Sequence, residues 1–299
     1  MILVIGEILF DLFPDVKRMG GAPFNFAFHL KKLGFPVRFV SRVGTDPSGR
    51  EILDFLKTHG FPPEDIQTDP RHDTGMVQVT LGENQTHEFT ILPHAAWDYL
   101  VYDNHLASLL DQSPELLYFG SLIQRGERGK NLIQEIMEQK PDHTRVFCDI
   151  NLRPRSYSPD TIRTCLKAAD ILKLNDAELT EISGIDSQDS EVQYRIEEFM
   201  IAHGIGTVIL TLGSRGSQWI TKSGSHRVDP SSFSQDILDT VGAGDAYASL
   251  SAAGLLKGLP VNKTAGLAHE FASRICGIRG ALSQDPKLYL EFSKRLEST

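Results

Sequence analysis

The run Asp239-Thr240-Val241-Gly242-Ala243-Gly244-Asp245 leads straight into a helix-forming stretch rich in Ala, Ser and Gly, residues 244–257. Glycines at a helix entrance let the backbone turn sharply and aim several unpaired amides at one point, where the helix dipole adds positive potential. An anion such as a phosphoryl group fits there. Asp245, in the first turn, is placed to take the proton of a hydroxyl that attacks the bound group. An ordinary acidic residue stabilising the helix dipole would have the same pattern.

A second glycine cluster, Gly20-Gly21-Ala22-Pro23-Phe24-Asn25, also opens a helix, and Gly6-Glu7 and Asp11 follow the first apolar run. Carboxylate and amide side chains at strand ends suit a polyol, because each oxygen can hold one or two hydroxyls. Asn25 reads equally as a helix N-cap and Asp11 as a turn residue. Asp149, Asn151 and Arg153 follow a strand ending at Ile150, and Asn175 and Glu178 follow one over 171–174. Carboxyl ends of strands are where open α/β sheets bind ligands. The spacing of Asn175 and Glu178 is also that of a reciprocal helix cap. No G-x-G-x-x-G follows the first strand, and G-L-P-V-N-K-T at 258–264 has Asn where a Walker A loop needs its last glycine. The ten His show no metal-binding spacing.

These groups need elements to position them. Short β-branched runs alternate with helical periodicity: a strand over 2–5 and a helix over 25–33, then a strand over 37–43 and a helix near 48–59. A strand over 145–150 with a helix near 159–169, and a strand over 208–212, continue the pattern. Such alternation predicts a mainly parallel sheet with helices on both faces. Residues 76–81 and 86–92, joined by the turn Gly82-Glu83-Asn84-Gln85, break it and predict an antiparallel hairpin at the sheet edge or as a flap. Small residues over 244–257 predict a helix packed closely on the sheet, with a second from 261 to 277. The aromatics Trp97 and Tyr99, just after the hairpin, fit a sugar face or the core.

The chain has 299 residues, 40% of them hydrophobic, and a formal net charge of −9, so its surface should repel nucleic acid and anionic lipid. No basic segment precedes the first apolar run and no stretch of about 18 consecutive apolar residues occurs, which speaks against secretion and membrane spanning. Three widely spaced cysteines give neither a disulfide framework nor a zinc site, so the expected compartment is the reducing cytoplasm. On that expectation the sequons at Asn84 and Asn262 are chance matches.

Taken in order, these segments resemble the ribokinase-like (PfkB-type) carbohydrate kinases across essentially the whole chain. The glycine clusters at 20–25 and 239–245 resemble the family's two signatures. Val43 to Gly49, Asp149 to Arg153, Asn175 to Glu178, Thr211 to Gly216 and Gly280-Ala281 fall where the family has counterparts. The resemblance implies an α/β, three-layer αβα fold in a single 1–299 domain, with a small β lid from segments near 12–19 and 76–92. It implies ATP-dependent transfer to a sugar hydroxyl, with Asp245 as base and Gly242, Ala243 and Gly244 as anion hole. Asp11, Gly21, Asn25 and Arg153 would face the sugar. Thr211, Gly213, Gly216 and His269, with Asn175, would line the nucleotide side. Asn175 and Glu178 would organise Mg²⁺ through water, and Asp239 and Val241, with Gly280 or Ala281, would hold a monovalent cation such as K⁺. His269 and Glu270 depart from the small residues or Asn of many relatives. The form Gly6-Glu7-Ile8-Leu9-Phe10-Asp11 with G-G-A-P-x-N is similar to fructokinases, which makes D-fructose, phosphorylated to fructose 6-phosphate, the expected substrate. Ribose, 2-keto-3-deoxygluconate and nucleosides are the alternatives, and a non-catalytic sensor the alternative of another class. The expected partners are a small sugar and ATP, with homodimerisation open.

Overall fold

The computed structural model describes residues 1–81, 87–229 and 237–297. Its larger sheet has nine strands: β1 (Ile2–Ile5), β4 (Val37–Gly44), β5 (Ile66–Asp69), β8 (Leu116–Gly120), β9 (Arg145–Asp149), β10 (Ile171–Asn175), β11 (Thr207–Thr211), β12 (Ser217–Thr221) and β13 (Gly224–Val228). They lie in the order β13-β12-β11-β10-β9-β8-β1-β4-β5. All neighbours are parallel except the pairs made by β12.

Strand alternation builds two cores from single strands. Ile2 and Val4 face one apolar cluster while Leu3 and Ile5 face the other, and Tyr118 and Phe119 divide the same way. The first cluster is closed by helices α1 (Ala22–Lys32), α2 (Pro47–Thr58), α8 (Ala243–Leu256), α9 (Val261–Cys276) and α10 (Pro286–Glu297). The second is closed by α3 (Asn104–Asp111), α4 (Glu127–Gln139), α5 (Pro159–Ala168), α6 (Asp176–Ser183) and α7 (Val192–His203). This is the three-layer αβα arrangement that the alternation predicts. The small residues of α8 allow close packing against its neighbour as well as the sheet: a Cβ added at Gly254 would meet Thr264 of α9 at 2.4 Å.

The predicted hairpin is present as β6 (Gly75–Leu81) antiparallel to β7 (His87–Ile91), while its turn at 82–85 lies outside the described residues. It joins β2 (Leu9–Leu12) and β3 (Lys17–Gly20) in a separate four-stranded sheet of order β3-β2-β6-β7, in which β2 runs parallel to β6. Residues 43–49 act as a brace. Asp46 caps α2 through the Gly49 amide at 3.0 Å, and its other oxygen accepts from Thr74 N at 2.7 Å and Thr74 Oγ1 at 2.8 Å. The three cysteines are free thiols. Among the described residues, no helix is long and apolar enough to cross a membrane.

Candidate active site

Because β1, β9, β10 and β11 are parallel, the residues at their carboxyl ends meet along one edge of the sheet: Glu7, Asp149, Asn175 and Thr211. Two helix entrances face one another there. The first is α1, which starts at Ala22, earlier than the periodicity indicated. Its N-cap is Gly21, with φ +112°, and Pro23 occupies the first turn. A Cβ at Gly21 would meet the Glu7 carbonyl oxygen at 2.5 Å, so this position demands glycine. Asn25 therefore does not cap the helix. It lies inside the first turn, buried, and its Nδ2 donates to Asp245 Oδ2 at 2.7 Å.

The second entrance is that of α8. Gly242 is its N-cap in the left-handed region, with φ +78°, and it rests on Ala281, whose Cβ would lie 2.3 Å from an added Cβ. Asp245 is buried in the turn that follows. Burial pushes its carboxyl up to about 6; the Asn25 hydrogen bond opposes the shift, Asp149 adds to it, and Lys173 and Arg153 oppose it. Lys173 was not anticipated from sequence. Its Nζ donates to both oxygens of Asp149, at 2.9 and 2.8 Å, in a buried ion pair between register partners on β10 and β9. Burial pulls the ammonium pKa down, but Asp149 and Glu178 outweigh it and raise the pKa. A Cβ at Gly244 would lie 3.6 Å from that Nζ, so a fixed positive charge sits directly under the glycine turn.

Two further carboxyls share this space. Burial lifts Glu7 to about 7, against backbone hydrogen bonds and Arg153 and with the help of Asp245. Burial lifts Asp11 to about 6, against Arg153 and Arg18. Arg153, exposed on the loop after β9, thus exerts its charge on Glu7, Asp11 and Asp245. Glu7 Oε2 and Asn25 Oδ1 are buried acceptors with no hydrogen-bond partner among the described residues. Asp11, Gly21, Asn25, Arg153 and Asp245, singled out by sequence, are thereby brought to one place.

On the far side of the glycine turn, Asn175 and Glu178 form the reciprocal cap that their spacing allows. Glu178 N donates to Asn175 Oδ1 at 2.9 Å, and Glu178 accepts from Asn175 N and Leu152 N, each at 2.8 Å. The carboxylate keeps a lone pair on each oxygen, which fits water ordered around a divalent ion better than direct ligation; no cluster of three metal-ligating side chains occurs among the described residues. Thr211 ends β11, and its hydroxyl donates to the Leu174 carbonyl at 3.3 Å. Gly213 and Gly216, both with positive φ, bracket the tight turn into β12. His269 lies half-buried on α9, and burial lowers its pKa. Glu270 beside it is engaged by Arg295 of α10 at 2.8 and 2.7 Å.

At the residues expected to hold a monovalent cation, the Asp239 carboxylate accepts three donors. These are Val241 N at 3.0 Å, Gly280 N at 2.9 Å and Arg18 Nη1 at 3.2 Å. Trp97 does not face a sugar: it is fully buried in the second core, with the Arg125 guanidinium 4.1 Å from its ring centroid, and Tyr99 stacks on His72.

Comparison with protein families matches residues 2–288 to the pfkB family carbohydrate kinase. Fructokinase-2 of Oryza sativa subsp. japonica is 29% identical over 266 residues, covering 83% of this chain and 77% of that relative. Among solved structures, fructokinase with bound ATP from Xylella fastidiosa superposes with a TM-score of 0.82 at 21% identity, over 99% of both chains. The 2-dehydro-3-deoxygluconokinase of Thermotoga maritima gives 0.79 at 19% identity, over 98% of this chain and 99% of that one. With the αβα architecture and the facing helix entrances, the match over 2–288 establishes that the chain belongs to the pfkB family of carbohydrate kinases and is a phosphotransferase acting on a sugar hydroxyl.

Proposed function

We propose that this enzyme transfers the γ-phosphoryl group of ATP to the 6-hydroxyl of D-fructose, with Asp245 as the base. The observation that carries this reading is the Asn25–Asp245 hydrogen bond. It fixes a buried carboxylate in the first turn of the helix that Gly242 opens, close enough to Glu7 for the two charges to act on one another. The sugar oxygen attacks the γ-phosphorus, its proton passes to Asp245, and the bond to the bridging oxygen breaks to release ADP. The three amides and the Lys173 ammonium stabilise the charge that develops on the phosphoryl oxygens. A divalent cation accompanying the nucleotide would neutralise its phosphates, and Glu178 and Asn175 would hold that ion's water shell.

Fructose is favoured by the carboxyl pair Glu7 and Asp11 and by the free acceptors Glu7 Oε2 and Asn25 Oδ1, which suit an array of hydroxyls. An acidic sugar would bring a carboxylate against those same carboxyls. The four-stranded sheet would close over the sugar as a lid and keep water from the phosphoryl group. The test is ADP release across ketoses, aldoses, sugar acids and nucleosides. Fructose should lead in kcat/KM, and another substrate ahead by about tenfold, worth roughly 1.4 kcal/mol in the barrier, would overturn the assignment.

A further inference from the structure

We infer that Arg18 is a built-in counter-cation for Asp239 that holds the phosphoryl-binding turn in place, so that turnover needs no added monovalent cation. The inference rests on the reading of Gly242–Gly244 as the anion hole.

The donor set around Asp239 is that of an anion's shell. Both backbone groups turned toward it, at Val241 and Gly280, are amides, and the third partner is a guanidinium. The guanidinium and the Gly280 amide share Asp239 Oδ2 while the Val241 amide takes Oδ1, so the positive charge beside this carboxylate is supplied by the chain itself. Arg18 lies alongside the same loop, since a Cβ at Gly280 would be 3.6 Å from its Cδ. The next residue, Ala281, is the surface on which Gly242 turns. The contacts therefore run from Arg18 through Asp239 and the 280–281 loop to the first residue of the anion hole.

Arg18 also belongs to the opposite side of the site. It sits on β3, directly across from Asp11 of β2, and its charge lowers the pKa of that carboxyl. Seven positions further along the chain, Asn25 makes the second tie, to Asp245. The segment 18–25 is thus fastened at both ends to the segment 239–245, by an ion pair and a hydrogen bond. Arg18 is a positioning residue: it touches neither reacting atom, and it links the four-stranded sheet to the turn that would receive the phosphoryl group.

Removing Arg18 leaves a part-buried carboxylate without its counter-charge, and an external cation can then act in its place. The test compares the full-length enzyme in potassium, sodium and tetramethylammonium chloride at equal ionic strength and fixed Mg²⁺. The parent should turn over at rates within about twofold in all three, whereas Arg18→Ala should lose about tenfold or more in kcat, the loss expected for one charge-assisted contact. Guanidinium or potassium ions at tens of millimolar should restore a large part of it, and Arg18→Lys should keep most of it. Calorimetric ATP binding to Arg18→Ala should weaken and recover with guanidinium in parallel, a readout that does not depend on the sugar. A parent that needs potassium, or an Arg18→Ala variant that is as active as the parent or is rescued by neither ion while Arg18→Lys is equally inactive, would overturn the inference. A parent that binds ATP normally but depends on potassium would refute the role of Arg18 alone. A parent that fails to bind ATP would refute the anion-hole reading and this inference with it.

Discussion

Asn25 Nδ2 lies 2.7 Å from Asp245 Oδ2, joining the first turns of two helices whose residues stand 220 positions apart in the chain. The bond fixes where the carboxylate points and offsets part of the cost of burying its charge. It also makes the base sensitive to whatever stands at position 25.

Asn25→Asp replaces the donor with a second carboxyl and should raise the pKa of Asp245 further from about 6. The acid limb of the kcat/KM profile should move upward by about one unit, so that activity near pH 6 falls more than activity near pH 8. A limb that stays where it is in the parent would show that the hydrogen bond does not tune the base.

Glu7 gives a prediction on stability. Its pKa is about 7 in the fold against 4.5 for an ordinary glutamate, so the folded state holds a proton that the unfolded chain has released. The folded state therefore loses stability relative to the unfolded chain as pH rises from 4.5 through 7. Glu7→Gln removes the ionisation, and its urea-unfolding free energy should gain on the parent's by about 1–3 kcal/mol between pH 5 and pH 8. An equal offset at both pH values would contradict the buried, raised carboxyl.

Much of this was legible in the chain because local rules and tertiary demands agree. The strand-helix alternation, the hairpin at 75–91 and the small-residue helix after Gly242 are written in short-range pattern. So is the Asn175–Glu178 cap, whose two hydrogen bonds need only a three-residue spacing. Lys173 was hidden. In the apolar run Ile171-Leu172-Lys173-Leu174 it gives no sign of its partner, and only the register of β10 on β9 sets it against Asp149. Arg18 was hidden for the same reason, its partner lying 221 residues away. Trp97 was ambiguous from sequence, since core and ligand-facing aromatics share one local pattern; packing against Gly75, where an added Cβ would lie 2.5 Å from Nε1, resolves it.

The separate sheet formed by residues 9–12, 17–20, 75–81 and 87–91 should close when sugar binds. Amide hydrogen exchange over 75–81 and 87–91 should slow on adding fructose, and less so on adding ATP alone. Unchanged exchange there, with protection gained elsewhere, would remove the lid from the account.

The most direct test of the central claim is Asp245→Asn, which keeps the size of the side chain and the helix entrance but removes the proton acceptor. Turnover and calorimetric sugar binding should be measured on the same preparation. The account predicts a fall in kcat of about 10² to 10⁴ with fructose and ATP binding retained. A variant that binds both normally and turns over within about threefold of the parent would show that Asp245 serves only the helix dipole, and proton transfer would have to be assigned elsewhere.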